Sequence, residues 1–112
     1  MDVTKFQIEI CAKFNSDFLP SNSNEKVGIA LNTIKLLPLN ALRVKPENGA
    51  CGWYIWGGDN LSSDVGFFQP LHVSHLEKYT PELIPYLSLS VGWRVLLAAN
   101  YEDVWYDDSL LT

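Results

Sequence analysis

The stretch whose reading decides the fold is Val91-Gly-Trp-Arg-Val-Leu-Leu-Ala-Ala-Asn-Tyr-Glu-Asp-Val-Trp-Tyr-Asp-Asp108. Val95 to Ala99 is a continuous apolar run, long enough for a strand and too short for an ordinary helix. Apolar residues on both faces place it inside a sheet. Asn100 tolerates a turn, and the chain resumes as Tyr101-Glu-Asp-Val-Trp-Tyr106. Alternation there puts Val104 and Tyr106 on one face and Asp103 and Trp105 on the other. The stretch is therefore expected to be a β-hairpin with a buried first arm. Its second arm mixes aromatics with Glu102, Asp103, Asp107 and Asp108, with no base among them. A purely structural strand needs no such crowd of acids, so this arm is expected near whatever the protein recognises.

Upstream of the hairpin, Pro70 and Pro81 both suit the first turn of a helix, and Thr80 and Glu82 suit a cap and a first-turn acid. Two short helices are expected, about 71–78 and 81–87, the second shortened or partly 3-10 because Pro85 lacks an N–H. Before them lies Gly52-Trp-Tyr-Ile-Trp-Gly-Gly58, an aromatic strand with Trp53 and Ile55 on one face and Tyr54 and Trp56 on the other. The polar run 59–66 reads as a surface loop, and Asn48-Gly49 as a turn. Strands are also expected over 27–31 and 41–44, joined by an irregular connection broken at Pro38. At the N-terminus, Thr4 to Gln7 fits a capping box, with Val3 and Ile8 as a hydrophobic staple. Phe6, Ile10 and Phe14 then recur every four residues and predict a helix over about 5–14. Phe6, Ile8, Ile10, Ala12 and Phe14 also alternate as in a strand, but the cap chemistry accounts for Ile8 without one. The order predicts an α+β chain: a mainly antiparallel sheet, an N-terminal helix, and two short helices between the central strand and the C-terminal hairpin.

A chain of 112 residues is expected to form one domain over 1–112, burying roughly 65% of its unfolded surface. No window approaches a membrane span, and Met1 to Lys5 lacks the pattern of an export signal. Cys11 and Cys51 stand without metal spacing and read as reduced thiols, which points to the cytoplasm. The charge is lopsided: residues 1–50 carry a net of +1 and residues 51–112 a net of −6. Phosphate neutralisation needs clustered Lys and Arg, so direct nucleic-acid binding is excluded. An acidic face attracts basic partners instead, although acidity also serves plain solubility.

Catalytic motifs are missing. No phosphate-binding loop, dinucleotide fingerprint, C-x-x-C or zincin pattern occurs, and Cys51 has no spacing that pairs it with a base. No catalytic residue, cofactor or metal site is assigned. His72 and His75, three apart, share a helix face but lack a third ligand; a metal-dependent hydrolase is the remotest reading. The aromatics say more. Eleven of the fourteen follow residue 50, including all four tryptophans. Tryptophan and tyrosine anchor protein interfaces and also stack on sugars. A small-molecule or carbohydrate-binding module using Trp53, Trp56 and Trp105 is thus the alternative to a protein-binding one. A flat exposed tryptophan platform would favour sugar, and a patch rimmed by Asp and Glu would favour protein.

The blocks Gly52-Trp-Tyr-Ile-Trp-Gly-Gly58, Phe67-Phe-Gln-Pro-Leu-His-Val-Ser-His-Leu76, Gly92-Trp-Arg-Val-Leu97 and Tyr101-Glu-Asp-Val-Trp-Tyr-Asp107 resemble, in order, a bacterial family. It is family thirty-three of the polymorphic-toxin immunity proteins, formerly a domain of unknown function, and the similarity runs over residues 27–111. The resemblance implies a small cytoplasmic, non-enzymatic protein that binds and neutralises a cognate secreted toxin. It carries over no catalytic residues and names no toxin. Together with the charge pattern it suggests a basic toxin, such as a nuclease, met by Asp59, Asp64, Glu102, Asp103, Trp105 and Asp107. The sequence leaves the oligomeric state open.

Overall fold

The computed structural model describes residues 3–62 and 64–111. Helix α1 (Val3–Phe14) comes first, followed by strands β1 (Lys26–Ile29), β2 (Leu39–Arg43) and β3 (Ala50–Gly57). Strand β4 (Gln69–His72), 3-10 helices at Val73–Lys78 and Pro81–Tyr86, strands β5 (Trp93–Ala98) and β6 (Tyr101–Tyr106), and a last 3-10 turn at Asp108–Leu111 complete the chain. The strands form one sheet in the order β4-β1-β3-β2-β5-β6. Among the described residues only β1 and β3 run parallel, and the other four strand pairings are antiparallel. The predicted α+β architecture is the one found.

The helices cover one face of the sheet. Val27, Ile29, Leu39, Ala41, Cys51, Trp53, Ile55 and Val95 project from it into the main core, meeting Leu76, Leu83, Leu87 and Leu89 and the α1 residue Cys11. Alternation along β3 is as expected, because Trp56 belongs to a second cluster on the opposite face. There Ala30, Leu42 and Trp56 pack with Val44, Phe67, Phe68 and Leu110, so the 58–68 loop and the last 3-10 turn partly roof that side. In the first arm of the hairpin, expected to be buried, Trp93 and Leu97 point to the helix face but are half-buried, while Val95 between them is fully buried.

Arg43 is the polar centre of the core, at 1% exposure. Its Nε donates to the Cys51 carbonyl at 2.9 Å, and its Nη1 reaches the carbonyls of Leu19, Leu87 and Leu89 at 2.6, 3.2 and 2.8 Å. One guanidinium thereby ties the 15–25 connection and the segment after the second 3-10 helix to the sheet. Burial pulls its pKa below the ordinary value, but the carbonyl acceptors suit the charged form.

The structure corrects several expectations. Pro70 does not start a helix: it lies in β4, an edge strand that pairs only with β1, opposite Gly28. An edge strand tolerates proline because the missing N–H can be one that faces solvent. The helix expected over 71–78 is a 3-10 helix that starts at Val73. Thr80 occupies the N-cap position before Pro81 but makes no side-chain capping bond, and its buried Oγ1 has no hydrogen-bond partner among the described residues. At the N-terminus α1 is already helical at Val3, so Thr4 lies inside the helix rather than at its cap, and the Gln7 side chain reaches off its own helix. Gln7 spans to the end of the second 3-10 helix instead, donating to the Ile84 carbonyl at 2.8 Å and accepting from Ser88 Oγ at 2.9 Å. The Asn48-Gly49 turn is present, both residues at positive φ (43° and 83°), as is the Asn100 turn at φ 57°.

Candidate functional site

The hairpin closes across Ala98 and Tyr101, and this fixes the register Arg94↔Trp105, Val95↔Val104, Leu96↔Asp103 and Leu97↔Glu102. Pairing with Val95 and Leu97 puts Val104 and Glu102 on the helix face. Asp103 and Trp105 stand on the opposite face with Arg94 and Leu96, so the expected alternation holds.

The acids of the arm differ in their surroundings. Glu102 accepts the hydroxyl of Tyr86 and pairs with Lys13 Nζ of α1 at 3.2 Å. The Tyr86 bond is the main reason its carboxyl sits below the ordinary range, and burial acts against it. Asp107 accepts from Ser109 Oγ at 2.6 Å and Ser109 N at 3.1 Å, and pairs with Arg94 Nη1 at 3.0 Å. Those bonds, Ser109 first and Arg94 second, hold its carboxyl down. Bases absent from the segment itself therefore arrive from β5 and α1. Asp103 and Asp108 are exposed and have no ion pair among the described residues.

Trp105 is half-buried, with the Arg94 guanidinium 5.5 Å from its ring centroid. Tyr101 and Tyr106, 56% and 49% exposed, are the open aromatics of the arm. Beside the hairpin turn a groove is lined by Leu37, Tyr79, Tyr86, Leu97, Tyr101 and Glu102. Arg94 was legible as a partner, since a turn closed at Ala98 and Tyr101 sets it opposite Trp105. Nothing in the sequence marked Lys13 or Tyr86, which approach from distant elements.

Asp59 and Asp64 are exposed on the loop joining β3 to β4, whereas β6 is the opposite edge of the sheet. This loop, grouped with the arm in the reading of the sequence, does not neighbour it in the sheet. β2 and β5 separate β3 from β6, a span of about 14 Å at ordinary strand spacing.

Trp53 is 1% exposed and Trp56 5% exposed, so they form no platform for a sugar. Trp53 is core, and its Nε1 donates to the Leu87 carbonyl at 3.0 Å. The rings of His72 and His75 meet edge-on with centroids 5.9 Å apart. Among the described residues no group of three His, Cys, Asp or Glu is placed to hold a metal ion. Cys11 and Cys51 are both free and buried, and burial pushes the Cys11 thiol up against an opposing hydrogen bond from Ser16. Among the described residues no helix is long and apolar enough to cross a membrane.

Comparison with curated proteins and with solved structures returns no match. A family model described as the Imm33-like domain matches residues 6–107. That span takes in most of α1, every strand of the sheet and the hairpin arm, and the chain belongs to the Imm33-like family, an immunity-protein family.

Proposed function

We propose that the protein is an immunity protein that acts in the cytoplasm as a single domain, binding and neutralising a cognate secreted toxin of basic character. The observation that carries the reading, beside family membership, is the composition of the edge hairpin. Asp103 and Asp108 are exposed and uncompensated there, next to Tyr101 and Tyr106, on an edge arm that meets the core through Val104. Charge of one sign steers a basic partner, and aromatic rings at the same place anchor it. Glu102, Trp105 and Asp107 hold the arm's shape through Lys13, Tyr86 and Arg94 while lending their surface to it. Asp59 and Asp64 add negative field from the other half of the sheet. The protein has no catalytic task in this reading; it blocks by occupying a surface.

The burial of Trp53 and Trp56 disfavours the carbohydrate reading. The test is to express the polypeptide encoded beside this gene in cells with and without the protein. Survival only when both are made, with a complex recovered from the cells, is expected. A well-folded protein that neither protects nor forms a complex would refute the reading.

A further inference from the structure

The sheet has two edges, and they are defended differently. β4 is four residues long and carries Pro70, two ordinary devices for blunting an edge. β6 is six residues long, Tyr-Glu-Asp-Val-Trp-Tyr, and contains neither Lys nor Pro.

The hydrogen-bond phase shows which β6 amides are free. Asp107 N donates to the Gly92 carbonyl at 2.7 Å, and the register continues as Trp93↔Tyr106. Antiparallel pairs alternate between bonded and non-bonded, so Trp105 and Asp103 exchange bonds with β5. The N–H and C=O groups of Glu102, Val104 and Tyr106 therefore face away from the sheet. The other side of the sheet gives the same phase. Val44 N donates to Gly52 O at 2.9 Å, which turns Leu39, Ala41 and Arg43 toward β5 and so Arg94, Leu96 and Ala98 toward β6. Among the described residues nothing bonds the outward amides of Glu102, Val104 or Tyr106.

We propose that the toxin attaches by adding an extended segment to the free edge of β6 as a seventh strand, with Lys or Arg placed on the open face beside Asp103. The inference rests on the immunity reading and specifies how the partner is held. Main-chain bonds to the three outward residues supply the attachment, and side chains on alternate positions supply the choice of partner. A basic residue beside Asp103 forms an opposite-charge cross-strand pair. A second copy of the chain is a poorer occupant than a basic segment, because two β6 strands side by side put Glu102 and Asp103 of both copies, four carboxylates and no base, along one seam.

The experiment is amide hydrogen exchange on this chain, alone and in complex with the polypeptide encoded beside its gene. In the complex the amides of Glu102, Val104 and Tyr106 are expected to slow by roughly 100-fold or more, while Asp103 and Trp105, already bonded to β5, change little. A complex in which those three exchange as in the free chain overturns the strand addition and leaves the immunity reading standing. Failure to form any complex removes both. Slow exchange at the three amides in the free chain, growing with its concentration, would give the edge to a second copy and sink the proposal. A second arm compares Val104→Pro with Val104→Ala, because only proline also deletes the outward N–H. Binding by the proline variant is expected to weaken at least about tenfold beyond the alanine variant, and equal binding counts against the added strand. Should Val104→Pro fail to fold, the exchange pattern decides.

Discussion

Arg43 and Trp53 share an acceptor: the guanidinium and the indole N–H both donate to the Leu87 carbonyl, at 3.2 and 3.0 Å, with the guanidinium 5.6 Å from the indole centroid. Ser21 Oγ donates to the same oxygen at 2.9 Å. The carbonyl lies just past the second 3-10 helix, where helical bonding ends and the chain needs another donor. The pair therefore fixes the layer that packs on the hairpin from below.

Replacing Arg43 by Met should leave the carbonyls of Cys51, Leu19 and Leu89 short of donors, while that of Leu87 keeps Trp53 and Ser21. The expected loss is about 3 kcal/mol or more, because unsatisfied buried acceptors cost more than a neutral exchange. Arg43→Lys should lose most of the same amount, since a single ammonium cannot span acceptors that a planar fork reaches. Chemical denaturation read by tryptophan fluorescence measures this. A midpoint near wild type for Arg43→Met would show that water replaces the guanidinium.

The Tyr86–Glu102 bond predicts a pH window. Glu102 titrates below its ordinary 4.5 in the folded state, so its contribution is present above that value and lost as pH falls through the lowered one. Tyr86 titrates above its ordinary 10.0, pushed up first by burial and then by the Glu102 bond, so its contribution is present below 10 and lost as pH rises beyond it. Tyr86→Phe should thus cost about 1 kcal/mol at pH 7, with the gap from wild type closing in acid. Thermal midpoints of both proteins from pH 3 to pH 8 check it; a gap that stays constant down to pH 3 would rule out this pair as its source.

Local chemistry made much of this fold legible. The period of β3 was readable because Trp53 and Ile55 alternate with Tyr54 and Trp56, and the final hairpin because Asn100 breaks two strand-like runs. β4 was not readable, since a proline before Leu71-His72 is as good a helix start as an edge-strand residue. Only pairing with Val27 and Leu71's seat on the core decide it. Arg43 carries no mark in the sequence that sets it apart from the other bases of residues 1–50. Its burial depends on carbonyls brought from three segments, and no local pattern records that. The arm's acids were visible at once, but Lys13 and Tyr86 reach Glu102 only through the tertiary fold.

Trp105 and Asp107 are joined through Arg94, which stacks on one and pairs with the other. Trp105→Ala should therefore release Arg94 as well as an aromatic surface, and is expected to speed toxin dissociation at a cost of roughly 2 kcal/mol in binding. Asp107→Asn should act more weakly, because Ser109 can still bond the amide oxygen. Surface plasmon resonance on variants first shown to be folded by circular dichroism separates the two rates. Unchanged dissociation by a folded Trp105→Ala would remove the indole from the interface.

The last prediction uses distance to separate contact from steering. Asp103 and Asp108 stand on the edge arm, while Asp59 and Asp64 belong to a loop that leaves β3, about three strand spacings or 14 Å away. Charges farther apart than the screening length, about 8 Å at physiological salt and about 30 Å at 0.01 M, act on each other only when salt is low. Both double variants, Asp103→Asn with Asp108→Asn and Asp59→Asn with Asp64→Asn, should slow association in dilute buffer. At physiological salt the loop variant should regain the wild-type rate. The arm variant should remain slower and also dissociate faster, because Asp103 then loses a direct cross-strand partner as well as a field. Stopped-flow association at two salt concentrations reads this directly. If the loop variant were the one that stayed slow at physiological salt, the toxin would sit over the β3–β4 loop, and β6 would be no more than a structural edge.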